Sequence, residues 1–302
     1  MFNSAVINGQ PYGVPMRGTQ PVMLFNNKAV LAKYGITPPT TWNELLSDVK
    51  TLKAAGITPI ALGGADQWPS LMWFEYLYDR VAGPSLFEKA LAGDTSEWSS
   101  KASMTALSDI QELINAGAFG TNFDSVKFTD GSSPKLLRTG KAAFELMGSW
   151  EYSTQQAADP SFAAKGLGYT AFPSVPGGVG NTSDLAGNTN NFYSVTKATR
   201  YPNTVASFLK LMYSPEFVKA QLGIGNLPTT TNTPQYLSTS ASPTYSLFQY
   251  NLVKQAKSFQ LSWDQAYPPT ATTAIHNAVE DLFTGRINAA GFVSAMQALP
   301  LK

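Results

Sequence analysis

Apolar positions recur along this chain with two distinct spacings. Val22 to Asn27 (VMLFNN), Thr58 to Leu62 (TPIAL), Ala142 to Met147 (AAFELM) and Leu167 to Phe172 (LGYTAF) are short, nearly unbroken apolar runs between turn residues, the pattern of buried strands. The Asn8-Gly9 turn leads into a further short strand over Tyr12 to Met16, and FYSVT from Phe192 reads as another. Between these runs the period lengthens. Thr41 and Glu44 have capping-box spacing, and Trp42, Leu45, Leu46, Val49 and Leu52 then mark one helical face that Gly56 closes. Helices are also expected from Leu71 (LMWFEYLYDRVAG), over Ser103 to Asn115, from Pro202, after Pro215 to Gly223, and over Tyr245 to Ala256. Ile275 to Phe283, stopped by Gly285, and Ala289 to Leu299 complete the set. Pro173 to Asn191, dense in Gly, Pro and Asn, reads as a long surface loop, and Thr229 to Pro243 as extended surface chain. Helices alternating with short strands predict an α/β fold, a mixed sheet with helices outside.

Composition narrows the function. Of 302 residues 43% are hydrophobic and 14% charged, which is globular and long enough for one large core or two modest ones. Twenty-one basic and 20 acidic residues give a net charge of +1 without long blocks of either sign, which argues against nucleic acid as a partner. With no cysteine and one histidine, His276, disulfides, thiolate chemistry and Cys- or His-built metal clusters are excluded. No run of about 18 apolar residues is present to span a membrane as a helix. The opening MFNSAVINGQPYGVP lacks the basic and apolar segments of a signal peptide, so the chain reads as starting within a longer protein.

Catalytic motifs are weak. GGVGNTS, from Gly177 to Ser183, lacks the lysine of a P-loop. Two acid pairs, Glu145 with Glu151 and Asp66 with Glu75, are the candidates for a secreted glycoside-active enzyme, which needs two carboxyl groups about 5 to 9.5 Å apart across its pocket. The aromatics are more suggestive. Trp68 follows TPIAL and two glycines, Trp150 follows AAFELM and Gly148-Ser149, and Trp263 stands between two helical segments. Chain leaving the carboxyl ends of strands lines the ligand crevice of α/β proteins. Asp66, Gln67, Glu151 and Asp264 stand beside these indoles, and flat sugar faces stack on indoles while amides and carboxylates bind hydroxyls. Each tryptophan alone fits a core role better than a ligand contact, the shared arrangement of Trp68 and Trp150 brings the two readings level for that pair, and buried indoles would leave a module that binds no sugar.

Motifs in order along the chain resemble a known family. NGQPYGVPM, MLFNNKAVLAKYGITPPTTWNELL, LLRTGKAAFELMGSW and YPNTVASFLKLMYSPEFVKAQLGIGNLPT are similar to successive segments of the family 1 extracellular solute-binding proteins, the maltose-binding-like sugar receptors of bacterial ABC importers. The resemblance implies a periplasmic-binding-protein type 2 fold, two lobes closing on a neutral mono- or oligosaccharide. It implies no catalysis, cofactor or metal, a membrane permease as partner, a monomer, and an extracellular or periplasmic location, with a lipoprotein anchor in the full-length parent. In this family an acid and an aromatic after the strand matching TPIAL contact sugar, which points to Asp66, Gln67 and Trp68. Trp150 matches the stacking tryptophan of the G-x-W motif, and Trp263 or Tyr267 the aromatic of the C-terminal region. Glu151 beside the motif, and Asn188, Asn190 and Asn191 in the long loop, complete the candidates.

The family pattern places roughly a hundred residues, about one small domain, before the motif with which this chain nearly begins. The expectation is therefore an incomplete N-terminal lobe. Residues 1–191 and 251–302 would form the C-terminal lobe with its hinge strands. Residues 192–250 would be a remnant of the N-terminal lobe, marginal or rearranged for want of a sheet to pack on.

Overall fold

The computed structural model describes residues 5–189 and 191–300. Its frame consists of β1 (Val14–Pro15), β2 (Gln20–Asn27), α1 (Trp42–Ala54), β3 (Thr58–Ala61), α2 (Trp68–Ala82), α3 (Lys101–Asn115) and α4 (Ser132–Arg138). There follow β4 (Ala142–Gly148), α5 (Glu151–Ala158), β5 (Leu167–Thr170), β6 (Leu185–Asn188), β7 (Phe192–Tyr193), α6 (Pro202–Leu211) and α7 (Pro215–Gly223). Last come α8 (Pro243–Gln255), β8 (Phe259–Leu261), α9 (Trp263–Ala266), α10 (Pro269–Phe283) and α11 (Ala289–Gln297).

The main sheet is mixed, with spatial order β8-β6-β2-β4-β3 and β5 also on β2. Strand β2 pairs antiparallel with β4 along one edge, while its other edge takes β6 at Gln20 and Pro21 and β5 from Leu24 to Asn27. The β4–β3 and β8–β6 pairs are parallel. Every residue of β2 and β4 is buried, as expected of strands covered on both faces. The expected capping box is present, with Thr41 accepting from the Glu44 amide and Glu44 accepting from the Thr41 amide. Strands β6 and β8 and helices α4 and α5 lie where the periodicity signals none.

Helix α2 is buried around nearly its whole circumference, so Glu75, Asp79 and Arg80 are taken into the core with it. Arg80 pairs with Asp79 at 2.8 Å, donates to the carbonyls of Asn181, Thr182 and Asp184, and lies over the Tyr76 and Phe172 rings. The glycine-rich loop is thus strapped down by one guanidinium, whose fork of donors suits three carbonyls.

Beyond β7 the packing is uneven. No residue of α6 is buried, and Leu211 on it is 58% exposed. By contrast α7, the 3-10 turn Thr233–Thr239 and α8 enclose a small core of Val218, Leu222, Leu227 and Leu237. Thr229 to Pro243, expected as surface chain, therefore contributes a buried leucine. Helix α8 also docks onto the main body: Tyr245 stacks on Tyr152 at 4.0 Å and donates to the Ser149 carbonyl at 2.6 Å, while Tyr152 donates to Ser242.

Arg80→Met would leave Asp79 without its cation and three carbonyls without their donor. The expected loss is about 3–5 kcal/mol, read from urea unfolding; a variant as stable as the parent would show that the strap carries no energy.

Candidate functional site

The carboxyl ends of β3 and β4 deliver two tryptophans to one place. After β3, Gly63 and Gly64 let the chain pass against Phe128 and Phe123, where a Cβ would meet the Phe128 amide or the Phe123 ring. Gln67 then takes φ 62 and ψ −48, a strained conformation for a non-glycine residue, and α2 starts at once with Trp68. After β4, Gly148 admits the Trp150 ring, which lies where a Cβ would stand. The Ser149 amide donates to the Pro21 carbonyl, so this turn is pinned to β2. The Trp68 and Trp150 ring centroids are 6.0 Å apart, and Phe128 meets Trp68 edge-on at 5.4 Å. Together the three rings make a continuous aromatic wall.

This wall borders a cleft of about 690 Å³. Met72, one turn beyond Trp68, and Thr154, one turn beyond Trp150, extend it along α2 and α5. The rest of the lining is mainly polar: Arg17, Gln20, Thr129, Asn188, Asn191, Ser262, Asp264 and Gln265. Sheet register explains part of this set. Gln20 pairs with Asn188 across β2 and β6, and Gln265 donates to the Asn188 side chain at 2.6 Å. Asp264 receives a hydrogen bond from His276 at 3.1 Å.

Several expected contacts turn out to be supports. Trp263 is fully buried among Phe74, Tyr78, Phe87 and Trp98, and Tyr267 is buried against Phe87, so neither indole nor phenol faces the cleft. Their neighbours Ser262, Asp264 and Gln265 do, because α9 turns its apolar face inward and its polar face out. Asp66 accepts from the Phe128 and Thr129 amides and the Thr129 hydroxyl, holding the loop that brings Phe128 and Thr129 to the cleft. The Gln67 amide reaches toward Asn277, outside the lining. Glu151 is fully buried, bonded by Gln155 at 2.5 Å. Of the loop asparagines, Asn188 and Asn191 line the cleft; Asn190 lies outside the described residues. Arg17, Gln20, Met72, Phe128, Thr129, Thr154, Ser262 and Gln265 are absent from the sequence-derived set. Only Met72 and Thr154, a helical turn from their tryptophans, carried a local signal.

The candidate acid pairs are likewise not set across the cleft. Glu145 and Glu151 are both fully buried, with Ser133 donating to Glu145 at 2.7 Å. Burial pushes Glu145 up to about 7, and burial with the neighbouring carboxylate raises Glu151 well above its ordinary range. Glu75 lies beneath the cleft, accepting from the Ser262 hydroxyl at 2.5 Å and the Trp263 amide at 2.8 Å, and burial pushes it up to about 8. It fixes Ser262 at the cleft floor. Among the described residues no group of acids and histidines could hold a metal ion.

Residues 1–219 match the family model of the bacterial extracellular solute-binding proteins, and the chain belongs to that family. An uncharacterized ABC transporter extracellular-binding protein of Pyrococcus horikoshii is 27% identical over 294 residues, 93% of this chain and 61% of the relative. A probable sugar-binding periplasmic protein of Mesorhizobium japonicum is 27% identical over 61% of this chain and 43% of its own length. This chain therefore spans less than two thirds of the curated relatives it matches. Among solved structures, a protein from a study of xylan utilization by Caldanaerobius polysaccharolyticus superposes with TM-score 0.88 and 26% identity, over 98% of this chain and 74% of that one. A chitin oligosaccharide binding protein superposes with TM-score 0.86 and 25% identity, over 98% and 73%. The fold is that of the periplasmic binding proteins.

Glu75, Glu145 and Glu151, with Asp79 raised by burial to about 7, hold their protons more tightly folded than unfolded. Folding therefore takes up protons between the ordinary carboxylate range and about pH 8, and stability falls as pH rises through that window. Glu44 and Asp130, lowered by hydrogen bonds at the surface, act oppositely only at more acid pH. The melting temperature is expected to drop from pH 5 to pH 8.5, and Glu75→Gln to flatten part of that slope. A melting temperature independent of pH would refute this assignment.

Proposed function

We propose that this chain binds a neutral mono- or oligosaccharide as the solute receptor of an ABC sugar importer, handing it to a membrane permease without chemical change. The observation that carries the reading is the pairing of two half-buried indoles, Trp68 and Trp150, with a lining of amides and hydroxyls around one cleft. A pyranose offers an apolar face to the rings and a rim of hydroxyls to Gln20, Asn188, Asn191 and Gln265. Support comes too from the names of relatives, including a melibiose/raffinose/stachyose-binding protein of Bacillus subtilis that is 27% identical over 49% of this chain. The acid pairs are placed for structure, and the proposal is of binding without hydrolysis.

The domain reading goes with it. Residues 1–191 and 251–302 constitute one lobe, and 192–250 belong to a second. The β1–β7 pair, where Val14 meets Tyr193, serves as part of the hinge. The bare face of α6 supports this division, since an amphipathic helix is ordinarily stabilised by what it packs on. The protein acts as a monomer, outside the cytoplasmic membrane, held there by a lipid anchor on the parent polypeptide.

The test is tryptophan fluorescence titrated with galactose, maltose, raffinose, xylotriose and chitotriose. A saturable change with one sugar class is expected. Trp150→Ala should weaken that sugar at least about tenfold, from the roughly 1.5–3 kcal/mol of burying an aromatic face. A flat response across the panel from a folded sample would overturn the reading.

A further inference from the structure

The turn that carries Trp150 is fastened from behind as well as from within the sheet. Ser149, the residue before the indole, is buried. Its amide donates to the Pro21 carbonyl at 2.9 Å, which settles the peptide plane entering Ser149. The plane leaving it runs into Trp150 and is held by the Ser149 carbonyl. That oxygen accepts the Tyr245 hydroxyl at 2.6 Å and the Tyr152 amide at a longer 3.3 Å. A peptide unit is rigid and the chain turns only at the torsions on either side of it, so rotating this plane would swing the indole.

Tyr245 is itself immobilised. It is buried, its ring stacks on Tyr152 at 4.0 Å with the planes 11° apart, and it meets Tyr169 of β5 edge-on at 5.0 Å. Gly225, at φ 83, closes over the pair. A Cβ there would stand 2.8 Å from Tyr152 Cδ1 and 3.5 Å from Tyr245 Cε1. Burial raises the Tyr245 phenol well above its ordinary range, so the hydroxyl keeps its proton and stays a donor.

We propose that Tyr245 is a positioning residue for the Trp150 indole, setting through the Ser149 carbonyl the angle at which the ring meets a sugar. This rests on the sugar-receptor and two-lobe readings above and deepens them. Tyr245 belongs to residues 192–250, so the stacking ring of one lobe is oriented from the other. Trp68 is mounted differently, on a turn that Asp66 ties to the Phe128 and Thr129 amides within its own lobe. A change in α8 therefore acts first on Trp150. An indole held at a fixed angle stacks on its ligand without an ordering cost.

Fluorine NMR of the whole chain labelled with fluorotryptophan tests this, together with calorimetric titration with raffinose, xylotriose and chitotriose. Of the resonances from the six tryptophans, the one lost in Trp150→Phe belongs to Trp150. Tyr245→Phe keeps the stacked ring and removes only the donor. It should shift or broaden the Trp150 resonance, leave that of Trp263 in place, and weaken the bound sugar about threefold to tenfold. Tyr76→Phe is the control, since Tyr76 is also buried and donates to a backbone carbonyl, that of Val22, at 2.6 Å. It should lower the melting temperature with the Trp150 resonance and the affinity unchanged. A folded Tyr245→Phe with the parent's Trp150 resonance and affinity would overturn the inference and leave the receptor reading standing. An equal effect of Tyr76→Phe on Trp150 would overturn it too, because lost stability would then explain both. If Tyr245→Phe does not fold, Gly225→Ala carries the test: its methyl must displace the tyrosine pair, and an unmoved Trp150 resonance would overturn the inference. A parent that binds none of the sugars would overturn the receptor reading, while a moved Trp150 resonance in Tyr245→Phe would still uphold the mounting of the indole.

Discussion

Everything in this fold is referred to the strand Gln20–Asn27. It is buried along its whole length, holds β4 on one edge, and divides its other edge between β6 and β5. Fixing that one register fixes the cleft. Gln20 is set beside Asn188, and the turn after β4 is tied back through the Pro21 carbonyl to Ser149. A one-residue slip would invert every side chain of β2 and disperse these contacts. The geometry of the cleft is thus inherited from a strand buried along its whole length.

Around this strand, charge is used for support far more than for display. Asp66, Glu75, Asp79, Arg80, Glu145 and Glu151 all sit near the cleft or on the elements that form it, and each commits polar atoms to the protein itself. The economy is physical. Holding a loop or a helix end beside an open cleft needs directional bonds that water cannot displace, and burial supplies that protection. Burial also makes the carboxyls reluctant to ionise, so neutral acids serve as hydrogen-bonding parts of the scaffold.

The sequence made the frame readable where signals were local. The Thr41–Glu44 capping box and the period of α1, the apolar runs of β2, β3 and β4, and the placing of Trp68 and Trp150 after strands all appear in the structure. What stayed hidden depends on long-range pairing. Leu185 to Asn188 is too short and too rich in small residues to announce a strand, yet Gly187, at φ 139, lets its backbone close on Gln20. Gln20 in turn becomes a cleft residue only through that pairing. Trp263 shows the opposite failure. Proximity to polar residues suggested a ligand contact, but in a four-residue helix the large apolar side chain goes to the core and its polar neighbours go out. An acid beside an aromatic, as at Asp66-Gln67-Trp68 or Trp150-Glu151, carries the same ambiguity: nothing local says whether the carboxyl will face a ligand or the next loop.

The two sides of the cleft rest on different physics. The indoles stand on turns dictated by backbone geometry: the strained Gln67 and the Gly148 against which the ring lies. Altering them disturbs the turns themselves. The polar side is carried by β6 and α9, whose outward residues make contacts chiefly with one another, as Gln265 does with Asn188. Those positions can be exchanged while Glu75 and Trp263 keep α9 in place from below. A stacking surface is built into the turns, and a hydrogen-bonding edge is built onto a buried aromatic base.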